Sequence, residues 1–119
     1  MLFAGYAWAM KTAHKPMSPG GIALVAGRFR VLGEPARLAI LNALMGGEHS
    51  VQELCEATGL SQANVSKHLA LLAQQGFVAR EKRGLFTIYS IADPSLYRLC
   101  ELMCGAVERK LGDELKLMR

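Results

Sequence analysis

Three groups of side chains in this sequence have types and spacings that could do chemistry. Ser61, Gln62, Ala63, Ser66 and Lys67, with Ala70, fall on one side of a helical repeat whose other side carries Val65, Leu69 and Leu72. That outer side offers hydroxyls, an amide and one cation, with no carboxylate. Thin side chains that donate and accept are what a helix needs to reach base edges in the major groove of a duplex. His68 falls beside the apolar side of the repeat, which favours packing or a phosphate contact over base readout or metal binding. The second group, Arg80, Lys82 and Arg83, is cationic and suited to phosphates. The third is sulfur. Cys100 and Cys104 lie four residues apart and can share one soft ion, with Cys55 or a second copy of the chain as the source of a third ligand. Adjacent-turn Cβ vectors run roughly parallel, so the pair suits a disulfide across a dimer axis better than one within its helix. Simple burial is the competing role for all three thiols.

The elements that must position these groups are legible around them. Ser50 to Leu72 reads as two helices joined by a tight turn. Ser50 caps the first helix and Glu53 reaches back to the cap amide; Thr58-Gly59-Leu60 turns the chain, with Gly59 at a positive-φ position. Ser61 then caps the second helix, and Leu60 and Val65 are spaced as a hydrophobic staple. Helix–turn–helix geometry presents the start of such a second helix, here Ser61, Gln62 and Ala63, to the bases. Phe77–Lys82 and Leu85–Ile91 are rich in strand formers and flank Arg83-Gly84, which predicts a β-hairpin with Gly84 at the positive-φ turn position. An αα-hairpin and a β-hairpin that merely show solvated faces are the bland alternatives. Helix, turn, helix and basic hairpin in that order favour a winged helix–turn–helix, a mainly α (α+β) fold with one small hairpin.

The flanks supply the remaining helices. Ile22 to Leu32 predicts a first helix, broken by Gly33-Glu34; Pro35 starts a second that runs to Met45 and carries Leu38, Leu41, Ala43 and Leu44, with Arg37 opposite. Asp93-Pro94 starts a last helix to about Leu115, where Leu96, Leu99, Cys100, Met103, Val107 and Leu111 form a stripe with Cys104 at its edge. A stripe this apolar on a terminal helix needs a cover. We assign it to a homodimer interface formed by the N- and C-terminal helices, which would also pair the two reading helices ~34 Å apart. Residues 1–21 are expected to be a flexible extension and residues 22–115 the DNA-binding and dimerisation domain; Met10 or Met17 is an alternative start.

A chain of 119 residues with 51% hydrophobic content bounds this to one small domain with apolar surface to spare. The formal charge of +4 is unevenly spread: residues 61–83 carry a net +3 and residues 48–60 a net −3. Positive charge therefore sits where phosphates would be held. Three cysteines without a CxxC pair fit a reducing cytoplasm rather than a disulfide framework. The apolar run Leu2 to Met10 is too short to span a bilayer and lacks a basic leader, so no membrane partner is expected. No paired carboxylates, Gly-rich phosphate loop, triad or activated thiol points to an enzyme, and no cofactor is required.

With these residues in view, the sequence resembles the ArsR/SmtB family of bacterial winged-helix repressors. The likeness lies in LGEPARLAILNAL (Leu32–Leu44), SVQELCEATGLSQANVSKHLALLAQQGFV (Ser50–Val78) and REKRGLFTIYSI (Arg80–Ile91), and spans roughly residues 22–107. It implies a homodimer that binds double-stranded operator DNA, represses nearby genes and lets go when an effector binds. The family pattern S-Q-x-x-V-S-x-H-L implies DNA contacts from Ser61, Gln62, Ser66 and His68. Family members sense metals, metalloids or reactive sulfur, but three of their sites are incomplete here. E-L-C-V-C is Glu53-Leu54-Cys55-Glu56-Ala57, without its second thiol. The D-x-H…H-x-x-E pattern is lost, since Pro94-Ser95 follows Asp93 and no histidine follows His68; I-L-C is Ile40-Leu41-Asn42. Cys100 and Cys104 remain, suited to arsenite or a soft divalent metal such as zinc or cadmium.

Overall fold

A computed structural model of the protein describes residues 15–112. The described residues form five helices and three strands: α1 (Pro19–Leu32), α2 (Pro35–Met45), β1 (His49–Ser50), α3 (Val51–Thr58), α4 (Gln62–Gln74), β2 (Val78–Arg83), β3 (Phe86–Ile91) and α5 (Ser95–Leu111). They divide into two compact units between Arg30 and Val31, within α1. The apolar run Leu2–Met10, most of the expected extension and the expected end of the last helix near Leu115 lie outside the described residues.

In the first unit, α1 begins three residues earlier than the sequence predicts. Pro16 to Gly21 reads as linker, yet Pro19, Gly20 and Gly21 are helical. The reason is a local cap: Ser18 Oγ accepts from the Gly21 amide at 3.0 Å, and Pro19 sits in the first turn, where it has no hydrogen bond to lose. This unit buries little. Ile22, Leu24 and Phe29 are all more than half exposed.

The second unit holds the core. Ile40, Leu41 and Leu44 of α2, Leu54 of α3, Val65, Leu69 and Leu72 of α4, Phe77 and Val78 at the start of the hairpin and Leu96 of α5 form one buried cluster, with Val31, Leu32, Leu60, Tyr89, Ile91 and Leu99 packed around it. Glu34 caps α2, its carboxylate accepting from the Ala36 and Arg37 amides. Two expectations for α2 change. Leu38 points outward, 45% exposed, and Ile40 takes the buried place. Arg37 is half-buried rather than opposite the core, because positions 37, 41 and 44 share one side of a helix.

The hairpin is also larger than predicted. β1 adds to it, giving a three-stranded antiparallel sheet in the order β1-β3-β2, with His49 opposite Tyr89 and Ser50 opposite Ile88. A strand of two residues carries no readable alternation, which is why the sequence does not announce it. Arg83 pairs with Phe86, so the turn is Gly84-Leu85 rather than Arg83-Gly84. Gly84 has φ +62° and among the described residues no non-glycine residue, Leu85 included, has positive φ, which identifies a type II′ turn. Pleating then puts Val78, Arg80 and Lys82 on one face of β2 and Ala79, Glu81 and Arg83 on the other.

Candidate nucleic-acid interface

The helix–turn–helix is α3, a turn and α4. Ser50 and Glu53 form the expected capping box: the Ser50 hydroxyl accepts from the Glu53 amide at 3.2 Å and the Glu53 carboxylate from the Ser50 amide at 2.8 Å. Those bonds, the Ser50 amide foremost, hold the Glu53 carboxyl below the usual carboxylate range. Gly59 closes α3 in the left-handed region at φ +76°. Thr58 stiffens the turn, its hydroxyl donating to the Leu54 carbonyl at 2.7 Å and accepting from the Leu60 amide at 3.3 Å. Ser61 then caps α4 by accepting from Asn64 N at 3.2 Å.

This construction gives α4 two unlike sides. Val65, Leu69 and Leu72 are completely buried, while Ser61, Gln62, Ala63, Asn64, Ser66, Lys67 and Ala70 are exposed. Asn64 is an addition to the sequence reading. An exposed Asn in the first turn, with an amide suited to adenine, was its available signal. The wing, β2 and β3 with their turn, stands beside this turn: Gln62 shares a concavity with Ser50, Val51, Gln52, Leu85, Phe86 and Thr87. Gln52, Leu85 and Phe86 were also missed, the last two because they open a run of strand formers and signal only a strand.

His68 and the wing cations differ in their surroundings. His68, with a side chain 14% exposed, shares a hydrogen bond of 3.2 Å between its Nδ1 and Arg37, and its Nε2 lies 3.8 Å from Glu34. Arg37 also donates through Nε to the Val31 carbonyl, so it ties the end of α1 to α4. His68 is thereby turned into the protein, in keeping with packing rather than base readout. Arg80 and Lys82 are exposed on one face of the ribbon. Arg83, on the other face, donates to both oxygens of Glu48 and both of Glu81. These carboxylates raise the guanidinium pKa further, and Arg83 in turn holds Glu81 below the usual carboxylate range.

The three thiols are free and half-buried. Cys55 packs against the core. Cys100 and Cys104 lie one turn apart on α5; burial first, and then Cys104, pushes the Cys100 thiol up. Among the described residues no three His, Cys, Asp or Glu side chains are gathered closely enough to hold a metal ion. Cys55 therefore does not complete a three-sulfur site with the α5 pair within one chain. The expected α5 stripe divides. Leu96 and Leu99 join the core, but Met103 and Leu111 are 58% and 46% exposed, together with Tyr97 and Leu102. No described helix is long and apolar enough to cross a membrane.

Comparison with known proteins agrees with this geometry. The family described as bacterial regulatory protein, arsR family, matches residues 34–80. The uncharacterized HTH-type transcriptional regulator Rv0081 of Mycobacterium tuberculosis is 35% identical over 91 residues, which cover 76% of this chain and 80% of that protein. Its crystal structure superposes with a TM-score of 0.75 over 83% of this chain and 99% of that one. A protein of Streptomyces lividans named as a probable mercury resistance operon repressor is 38% identical over 74 residues, 62% of this chain and 59% of its own length. The solution structure of the homodimeric winged helix-turn-helix DNA-binding domain of Mb0332 from Mycobacterium bovis, 27% identical, gives a TM-score of 0.72 and covers 84% of this chain and 93% of that one. With α3 and α4 as its helix–turn–helix and β2–β3 as its wing, the chain belongs to the arsR family of bacterial regulatory proteins, which are winged helix–turn–helix DNA-binding transcriptional regulators and not enzymes.

Proposed function

We propose that two copies of this chain bind operator DNA in the cytoplasm, repress the genes beside it and are released by a thiol-directed effector. The carrying observation is the two-sided α4: three fully buried residues fix its inner side while Ser61, Gln62, Ala63, Ser66 and Lys67 are exposed on the outer. In this reading Gln62, with Asn64 beside it, meets base edges. Ser61, Ser66 and Lys67 hold the adjacent backbone, Arg80 and Lys82 hold phosphates flanking the groove, and Ala63 lets α4 approach closely. His68 contributes by fixing α4 against Arg37.

The test is affinity for a selected duplex as a function of salt. Wild-type binding weakens steeply as salt rises, by about 0.9 in log–log slope per phosphate neutralised. Gln62→Ala costs about 1–3 kcal/mol and relaxes preference at one base pair per half-site, with the slope unchanged. Lys67→Ala weakens all sequences alike and flattens the slope by about one per subunit. A wild-type affinity that ignores salt would sink the reading.

Dimerisation is supported by the uncovered apolar residues of α5 and of α1, and by the homodimeric Mycobacterium bovis relative. The effector is placed at Cys100 and Cys104 because they are adjacent on the helix proposed to join the subunits, where the second copy supplies further sulfur. Arsenite, zinc or cadmium suits such a set, and the mercury-resistance relative supports soft-metal chemistry. An effector that binds the DNA-free dimer more tightly must weaken operator binding by the same factor, ~1–3 kcal/mol. Titrated into the reduced wild-type complex, arsenite or zinc lowers DNA affinity, and Cys100→Ser loses the response. Equal affinities with and without both effectors in wild type and variant would remove the thiol input and leave a regulator with another signal.

A further inference from the structure

The wing of this protein ends in apolar residues. The residue that sequence reasoning places at the tip as a phosphate contact, Arg83, is engaged by two carboxylates, one from its own strand and one from Glu48, just before β1. The residue that occupies the tip is Leu85, 96% exposed, followed by Phe86 at 62%. A single exposed leucine is ordinary. Here, however, a type II′ turn projects it at the end of a two-stranded ribbon, next to a second exposed apolar residue. Both line the concavity that also contains Gln62 of α4, so the apolar tip is continuous with the candidate DNA surface. Charge points to the same occupant. Arg80 and Lys82 are exposed along the other face of the ribbon, and the only acidic residue of the two wing strands, Glu81, is neutralised by Arg83.

We propose that the wing grips the duplex through an apolar tip, Leu85 backed by Phe86 and packed on deoxyribose faces in the minor groove, while Arg83 is held by Glu48 and Glu81 as the brace that aims it. The inference rests on the DNA-binding reading above and adds a specific contact to it. Sugar edges lining the minor groove are one apolar surface that a duplex presents, beside the thymine methyls of the major groove, and other DNA-binding folds send apolar side chains into the minor groove as wedges between base steps. The bidentate bond to Glu48 joins β2 to the segment that leads into α3, so Arg83 links the wing's direction to that of the helix–turn–helix. Arg83 is thus a positioning residue rather than a phosphate ligand.

The experiment titrates full-length wild type, Leu85→Ala, Leu85→Met and Arg83→Ala against the duplex that wild-type protein selects from a random library, at several salt concentrations. Hydroxyl-radical footprinting, which reports access to deoxyribose in the minor groove, is run on each complex. Leu85→Ala lowers affinity roughly tenfold with an unchanged salt slope, since a lost apolar contact changes no counterion count. It also exposes the sugars flanking the major-groove contacts, and Leu85→Met restores both. Arg83→Ala blurs the same protection and leaves the slope unchanged. Thermal melting confirms that each variant is folded. Wild-type affinity and protection in Leu85→Ala would overturn the proposal, as would a slope flattened by about one per subunit in Arg83→Ala. Failure of wild type to bind any duplex would overturn the functional reading itself, so the two failures are told apart.

Discussion

Met103→Glu is expected to turn the protein into folded monomers that bind operator DNA about 10²–10⁴-fold more weakly than wild type. Met103 is 58% exposed on α5, beside Leu102 at 60%, and contributes nothing to the buried cluster. A charge at that position therefore leaves the fold of one chain intact. In the proposed dimer it must be buried without a partner, which costs far more than the lost methionine contact. The DNA effect follows from geometry. Once one α4 of a joined pair is seated, the second binds as an intramolecular step, and separating the subunits removes that gain without touching a single DNA contact. Sedimentation equilibrium reads the mass, thermal melting the fold and salt-resolved titration the affinity. A Met103→Glu protein that remains a dimer would show that α5 is not the joining surface.

Leu69→Ala is expected to destabilise the fold by about 2–5 kcal/mol. Leu69 is completely buried on the inner side of α4, at the centre of the cluster formed with α2, α3 and the start of the hairpin. Truncation removes its transfer free energy and leaves a cavity that rigid neighbours close only in part. In a domain of this size stability is on the order of 5–15 kcal/mol, so the loss is a large share of the whole. Denaturant titration should show a lower midpoint with little change in slope. Lys67→Ala, two positions away on the exposed side, should shift stability by no more than about 0.5 kcal/mol and act on DNA binding alone. The pair separates the two sides of α4: one seats the helix, the other meets the partner. Equal stability losses in both variants would contradict that division.

Local rules were sufficient for the centre of the molecule. The capping box of Ser50 and Glu53, the left-handed Gly59 and the Ser61 cap involve residues within a few positions of each other, so their geometry is encoded where it is used. The periodicity of Val65, Leu69 and Leu72 likewise settled which side of α4 is buried, and with it which side carries Gln62 and Lys67. The start of α1 was missed for a related reason: Pro and Gly residues signal a linker unless a preceding serine caps them, as Ser18 does.

What the sequence by itself determined, then, is the helix–turn–helix, its exposed polar side and the hairpin behind it, because each depends on spacing within a short segment. Only the tertiary structure decided the partners of residues far apart in the chain. Glu48 meets Arg83 across 35 positions and Arg37 meets His68 across 31, and these contacts give two of the expected DNA ligands partners within the chain. Leu85 and Phe86 read as the first residues of a strand; the register puts the turn one residue later, so that Leu85 sits in the turn, Phe86 opens β3 and both are exposed. The last-helix stripe could be seen in sequence, but its division into a core part and an uncovered part could not. Periodicity marks which residues are apolar, and only folding shows how much of that surface the rest of one chain is able to cover.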